Sequence, residues 1–123
     1  MAAPNVVNVT SIIGKTQGGA LATTLGDWVT CLTDKLVKVN SIIVANVDGS
    51  DAADVDVIFY DASATASIHL AKLVEIPAKS TLVVLGKDAP IYLEEGDKIQ
   101  AKASAAGDLE IVVSFEVLDD AST

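Results

Sequence analysis

The feature that most restricts the fold is a two-residue alternation near the C-terminus, in the run DLEIVVSFEVL at residues 108–118. Apolar residues occupy every second position, and polar residues occupy most of the positions between them. Successive side chains of a strand point to opposite faces of a sheet, whereas on a helix the same positions would scatter around the axis. The run therefore predicts a β-strand with one face in a hydrophobic core and the other facing water.

The segment before this run has the same pattern. In DKIQAKAS, Ile99, Ala101 and Ala103 alternate with Lys98, Gln100 and Lys102. The connecting AAGD places Gly107 where a turn requires a positive φ. We predict that the two strands form a β-hairpin.

Seven further stretches have the character of strands, namely NVVNVTSII, DWVTCLT, KLVKVNSIIVANV, DVDVIFYD, ASIHLAKLVEI, STLVVLG and APIYL. Such strands recur about every 8–12 residues, with turn signals between them. No stretch shows the i, i+3, i+4, i+7 apolar spacing of an amphipathic helix. The sequence predicts an all-β protein, an antiparallel, jelly-roll-like β-sandwich of about eight or nine strands with almost no helix.

The length of 123 residues is typical of a single domain. Within a single β-sandwich domain spanning 1–123, residues 1–34 are expected to form a less regular N-terminal arm with strands. Residues 35–118 are expected to form the core sandwich, and 119–123 a frayed tail. The glycines between Gly14 and Gly19 favour a flexible loop or a short loose strand after the first strand.

Charge and composition exclude several classes of partner. Seventeen Asp and Glu residues against eight Lys and Arg give a net charge of −9, which repels phosphate backbones and argues against nucleic-acid binding. The N-terminus does not have the pattern of a signal peptide, and no apolar run approaches the roughly 18 residues of a transmembrane helix. We therefore expect no membrane partner. Cys31 is the only cysteine, so no internal disulfide can form.

The tripeptide Gly14-Lys15-Thr16 looks like the end of a phosphate-binding P-loop. A P-loop requires a further glycine five positions before Gly14, where this chain has Val9, and a helix directly after the threonine. QGGALATTLGD follows instead, and its paired glycines disfavour a helix. We interpret the tripeptide as the end of a strand and predict no nucleotide or other small-molecule substrate.

Two acidic clusters in the sequence are candidate sites. Asp48, Asp51, Asp54 and Asp56 could supply oxygens to calcium, but their spacing does not match an EF-hand and fits an acidic turn leading into a strand with Asp on its solvent-facing side. Whether this Asp48–Asp56 loop binds a metal stays open. Glu94, Glu95 and Asp97 fall within one turn that we expect to be exposed, whereas glycosidases need carboxyls facing each other across a cleft.

His69 is the only histidine and shares strand parity with Ala71 and Leu73, so we expect a half-buried core or interface residue. No nucleophile–base pair can be assembled around it. We therefore predict that the protein is not an enzyme, with no catalytic, cofactor-binding or metal-binding residues and no cofactor.

From about Val39 onward the chain resembles small virion structural proteins of tailed bacteriophages, notably phages of cyanobacteria. The resemblance lies in ANVDGSDAADV, in IPAKSTLVVLGKDAPIYLEEGDKI and in ASAAGDLEIVVSFE, and it covers about two-thirds of the chain. Its most specific part runs from YLEEGDKI to DLEIVVSFE. No functional residues of the family can be carried over.

The resemblance implies a domain that assembles on the virion and performs no chemistry. Small acidic all-β phage proteins often decorate or cement the capsid, commonly as homotrimers, so the implied partners are further copies of this chain and the major capsid protein or other virion proteins. The capsid surface is the favoured location over the tail, after assembly in the host cytoplasm. The alternative is a tail, neck or fibre component that binds a receptor or carbohydrate.

Overall fold

The computed structural model describes residues 9–120, which form nine β-strands and no helix. The predicted all-β class is confirmed. The strands are β1 (Val9–Ala20), β2 (Gly26–Thr30), β3 (Lys35–Asn46), β4 (Ala53–Asp61), β5 (Ala66–Ile76), β6 (Thr81–Leu85), β7 (Ile91–Leu93), β8 (Lys98–Ala103) and β9 (Leu109–Asp120).

The strands form two antiparallel sheets. Sheet A has the order β1-β9-β3-β6, with β7 also pairing with β3, and sheet B has the order β2-β8-β4-β5. Most connections cross from one sheet to the other, since β1, β3 and β9 belong to sheet A whereas β2, β4 and β8 belong to sheet B. The predicted antiparallel β-sandwich is confirmed.

The predicted hairpin between residues 97–104 and 108–118 is wrong. β8 pairs with β2 and β4 in sheet B, whereas β9 pairs with β1 and β3 in sheet A. Gly107 does have a positive φ, of 82°, but the turn carries the chain across the sandwich. A turn residue fixes where the chain reverses and does not fix the partner of each strand.

The core lies between the inner faces of the two sheets, where the alternation of the sequence places the apolar residues. Its fully buried members include Val39, Ile42, Val44, Val55, Val57, Ile99, Leu109, Ile111 and Val113. The inner residues predicted for 97–104 and 108–118 are buried as expected, except that Val117 is half-buried at the edge of the core.

The loop predicted at Gly14–Gly19 is part of β1, which pairs with β9 along its length. None of these glycines has a positive φ, so an extended conformation is open to them. A Cβ at Gly18 would lie 2.8 Å from the carbonyl oxygen of Ile111. Here glycine therefore permits a close approach to β9 and does not introduce a loop.

The sequence predicts a strand near the N-terminus and a frayed tail at the C-terminus. Of the strand predicted in NVVNVTSII, residues 5–8 lie outside the described residues, and β1 begins at Val9. β9 extends to Asp120, two residues into the segment expected to be frayed, and residues 121–123 lie outside the described part of the chain.

Candidate interaction surface

β1 lies on the sandwich without entering its core. Every residue from Ser11 to Ala20 is exposed, and none belongs to the core cluster. Ile12 is 57% exposed and Ile13 is 49% exposed, one on each face of the strand. Among residues 9–120, no strand pairs with the second edge of β1, and both of its faces are exposed from Ser11 to Ala20.

Beneath the inner face of β1 lies a groove of about 340 Å³. Its apolar walls include Ile13 of β1, Leu32 after β2 and Phe115 of β9. Lys15 and the ion pair between Lys35 and Asp119 contribute the charged part of the lining. The lysine of the Gly-Lys-Thr tripeptide thus lies in an open apolar groove on an extended strand, where no helix follows to complete a phosphate site.

Across the middle of its outer face, sheet A has two rows of uncharged residues, which are called the neutral rows below. Gly18, Val112, Ile43 and Val83 lie side by side on four adjacent strands. The next row consists of Thr16, Ser114 and Ser41, and the Thr16 and Ser114 hydroxyl oxygens are 3.4 Å apart. Charged side chains appear only in the flanking rows, at Glu110, Glu116 and Lys38. Val83 is 58% exposed and Val112 is 42% exposed, so apolar surface faces outward here.

Sequence reasoning missed this row, although a signal was present. Val112 is an apolar residue at a position where the alternation of 108–118 calls for a polar one. Ile43 interrupts the alternation of β3 in the same way. The register of the strands places both in one row, and this register could not be read from the sequence.

The outer face of sheet B is charged and internally paired around β2 and β8. Lys98 donates to Asp27 at 3.1 Å, and its ammonium lies 5.9 Å from the centre of the Tyr60 ring. Gln100 donates to Asp27 at 2.8 Å. The hydrogen bond from Gln100, followed by that from Lys98, lowers the pKa of Asp27 from its ordinary value.

The four aspartates of residues 48–56 do not form one site. Asp48 and Asp51 belong to a turn organised by the buried Asn46, whose side-chain amide donates to the carbonyl oxygens of Asp51 and Ile76. Asp54 and Asp56 lie on the outer face of β4. Among residues 9–120, no group of three or more His, Cys, Asp and Glu side chains could hold a metal ion.

Asp56 is buried, contrary to the solvent-facing position predicted for it. Its Oδ1 accepts the Leu73 N–H at 2.7 Å, and its Oδ2 lies 3.9 Å from the Lys102 ammonium nitrogen. Leu73 has a positive φ of 49° in a β-bulge of β5, where two residues oppose one residue of β4. The Asp56 carboxylate therefore stabilises the bulge.

Asp97 corrects the expectation of an exposed Glu94–Asp97 turn. Its side chain is buried, with Oδ1 accepting the Ala62 N–H at 2.9 Å and Oδ2 accepting the Glu94 N–H at 3.0 Å. Glu95 accepts the Asp34 N–H at 2.6 Å. These carboxylates hold backbone groups in place and do not face each other across a cleft.

The remaining candidate residues, His69 and Cys31, lie in different environments. His69 is exposed on the outer face of sheet B, opposite Ile58, so the half-buried position predicted for it is wrong. Cys31 is a free, buried thiol whose Sγ lies 3.2 Å from the Lys35 carbonyl oxygen. Burial is the main cause that raises the pKa of this thiol to about 11. Residues 9–120 contain no helix long and apolar enough to cross a membrane.

Taken together, the fold and surface define an all-β sandwich domain with one exposed strand and two unlike outer faces. No protein-family model matches the chain, and no curated protein is similar to it in sequence. Among solved structures, the chain is similar to one described as Bacillus endospore appendages that form a novel family of disulfide-linked pili. That likeness has a TM-score of 0.51 at 12% identity and covers 89% of both chains, which supports the shared fold alone.

Two weaker likenesses concern viral particles. One is to a virus-like particle of the extra small virus of the giant freshwater prawn Macrobrachium rosenbergii, with a TM-score of 0.42 and 12% identity over 95% of this chain and 86% of that one. The other is to a pentameric capsid protein from metagenomic phage sequences, with a TM-score of 0.37 and 16% identity over 96% of this chain and 65% of that one.

Proposed function

We propose that this chain is a non-enzymatic structural protein of a phage virion, namely a capsid decoration (cement) protein that binds and stabilises the head shell. The observation that carries the proposal is the contrast between the two outer faces of the sandwich. Sheet A presents neutral rows with exposed Val83 and Val112, whereas sheet B presents paired charges around Asp27, Lys98 and Gln100.

The outer face of sheet A has the chemistry of a protein-binding surface. The centres of protein interfaces are depleted of charged residues, and exposed apolar patches on soluble proteins often mark such surfaces. Tyr92, 48% exposed beside Lys38 and Glu116, adds an aromatic side chain at the border of the neutral rows. In the proposed arrangement sheet A faces the shell, and the hydrated face of sheet B points away from it.

A homotrimer belongs to the same proposal. A single chain of this size can cover only a small area of the shell. Three linked copies would bind several capsid subunits at once, and each further contact would then form within an existing complex at a high effective concentration. The resemblance of the chain from about Val39 to Asp120 to phage virion proteins supports this role, as does the acidic net charge of −9, which keeps an abundant surface protein soluble.

The location is tested by an electron-microscopy map of the intact particle at a resolution that separates β-strands. The proposal requires density for this sandwich on the head shell, with sheet A against the capsid. Density on the tail, neck or fibres would instead favour the receptor- or carbohydrate-binding module, and a glycan array would then test that function.

The binding face is tested by adding purified variants to particles that lack this protein and sedimenting the particles. We expect Val112→Glu to weaken shell binding by at least roughly tenfold, because a carboxylate would be desolvated in the interface. Ser67→Glu, at an exposed position on the β4–β5 side of sheet B, is the matched control and should bind like the unaltered chain. Equal losses in both variants, or none in Val112→Glu, would contradict the assignment of sheet A.

A further inference from the structure

The free edge of β1 exposes a regular set of backbone hydrogen-bonding groups. The Leu21 N–H donates to the Leu109 carbonyl oxygen at 2.8 Å, which fixes the phase of the β1–β9 ladder. Since the direction of these groups alternates along a strand, odd-numbered residues of β1 face β9 and even-numbered residues from Ile12 to Ala20 face the free edge. The register between Ser11 and Ala20 contains no bulge that would interrupt this series.

This edge lacks the features by which proteins usually prevent strand addition. Between Ser11 and Ala20 there is no proline, and Lys15 is the only charged residue. Lys15 belongs to the odd-numbered series and lines the groove under the inner face. A second strand could therefore pair with β1 over its whole regular length.

The distribution of side-chain size along β1 identifies another β1 as the partner. The large residues Ile12 and Ile13 lie at one end, whereas Gly18, Gly19 and Ala20 lie at the other. In an antiparallel pair with Thr16 opposite itself, Ile12 would face Ala20 and Ile13 would face Gly19. Each large side chain of one copy would then meet a small residue of the other.

Charge and the neighbouring groove support the same register. With Thr16 at the centre, Lys15 faces Gln17, whereas a centre at Lys15 would bring two ammonium groups face to face. The Trp28 ring covers the inner side of Gly19, where an added Cβ would lie 3.0 Å from it. Ile13 of the second copy would thus approach an aromatic ring, and Leu32, which is 62% exposed, lines the same groove as Ile13 of its own chain.

We propose that two copies of this chain pair through the free edges of β1, antiparallel and about a two-fold axis at Thr16, so that the two A sheets form one continuous sheet. This contact concerns copies of the chain only and does not depend on the virion role. It is also compatible with a separate three-fold contact, in which case six copies would assemble.

The stoichiometry is tested by sedimentation equilibrium of the full chain over a wide concentration range. Two copies, or six, at the highest concentration support the proposal, whereas one or three overturn it. Hydrogen exchange gives a second readout: amides of Ile12, Gly14, Thr16, Gly18 and Ala20 should exchange more slowly as concentration rises. Unchanged exchange at these even-numbered positions would also overturn the proposal.

Charged substitutions at Thr16 test the position of the proposed two-fold axis. Thr16→Lys and Thr16→Glu should each weaken self-association by at least about tenfold, because like charges meet at the axis. An equimolar mixture of the two should restore pairing, since unlike charges then face each other. Thr16→Ala is the control for loss of the hydroxyl, and Ser67→Lys on the edge strand β5 is the control for added charge; both should associate normally. Failure of the mixture to recover would rule out the two-fold axis at Thr16, and a melting transition for each variant checks that it is folded.

Discussion

β1 and β5 are both long edge strands, with 12 and 11 residues, but they relate to the core in opposite ways. β5 contributes Ala71 and Ile76 to the core cluster, whereas Ser11–Ala20 of β1 contribute nothing to it. β5 is also bulged twice against β4, and the Asp56 carboxylate holds one of these bulges. β1 has no bulge between Ser11 and Ala20, and its one register shift lies at the start of the strand, between Val9 and Ser11.

The difference shows that the position of a strand at a sheet edge does not determine its role. Bulges and a buried anchor turn the edge of β5 away from further pairing, which is a common protection of β-sheet edges. β1 lacks both, so its hydrogen-bonding groups and its two faces remain available to another molecule. We therefore expect β5 to contribute stability and β1 to contribute association, and each can be measured separately.

The largest expected effect on stability comes from truncating Ile76, the buried residue that holds the end of β5 in the core. Ile76 is 1% exposed, so Ile76→Ala should lower the free energy of unfolding by about 2–5 kcal/mol through lost burial and a new cavity. Ile13→Ala on β1 makes the same chemical change at a half-exposed site and should cost less than about 1 kcal/mol. Urea denaturation at one low protein concentration compares them. Equal costs would show that β1 is tied to the core as firmly as β5.

The next effect concerns the bulge of β5. Asp56→Ala removes the acceptor of the Leu73 N–H and should destabilise the chain by about 1–3 kcal/mol. Asp54→Ala, two residues earlier on the same face of β4, controls for removal of a carboxylate from this face and should cost clearly less. If the two variants unfold at the same urea concentration, Asp56 does not hold the bulge.

Much of the fold followed from local patterns, because alternation reports which side chains are buried. About eight or nine strands and the inner residues of β8 and β9 were predicted in this way, and Gly107 was placed correctly at a positive φ. Strand partners were not, because a turn such as AAGD can join strands within one sheet or across a sandwich. The surface proposed for binding depends on those partners, since the row from Gly18 to Val83 comes from four separate strands.

Bulges and buried carboxylates account for the other errors. An extra residue at Leu70 shifts the parity of β5, so His69 points outward although Ala71 is buried. Asp97 is buried because its carboxylate satisfies two backbone N–H groups, a role that an acidic turn sequence does not distinguish from simple exposure. Both effects depend on tertiary contacts and leave no periodic trace in the sequence.

A smaller expected effect is a loss of stability at alkaline pH, which tests whether water reaches the core through the groove under β1. Cys31 directly precedes the groove residue Leu32, yet it is 2% exposed and its pKa is raised to about 11 by burial. The unfolded chain loses this proton from about pH 9, whereas the folded chain retains it, so stability falls as the pH rises between these values. By pH 10 the loss should be about 1 kcal/mol relative to neutral pH. Cys31→Ala should lack this loss, and parallel stability profiles of the two proteins would indicate that water reaches the thiol through the groove.

The smallest effect concerns β2, the edge strand of sheet B next to β1. Asp27 on β2 is exposed, and its pKa is lowered first by the Gln100 hydrogen bond and then by Lys98. Because the folded state favours the charged form, the stability gained is present above the ordinary pKa of 3.8 and is lost as the pH falls through the lower folded value. Solvent screening limits this gain, so Asp27→Asn should change stability at neutral pH by less than about 1 kcal/mol.

An NMR titration of the Asp27 carboxyl separates the two contributions. Gln100→Ala and Lys98→Ala should each raise its pKa, because Gln100 supplies the largest single cause of the shift and Lys98 adds both a hydrogen bond and its charge. An unchanged pKa in either variant would mean that the side chain removed does not act on this carboxylate. In the expected case hydrogen bonds to the exposed Asp27 carboxylate order the rim of sheet B at little gain in stability. The β1–β2 side of the sandwich would then depend on backbone pairing of β1, first with β9 and then with a second copy, whereas the β5 side depends on buried side chains.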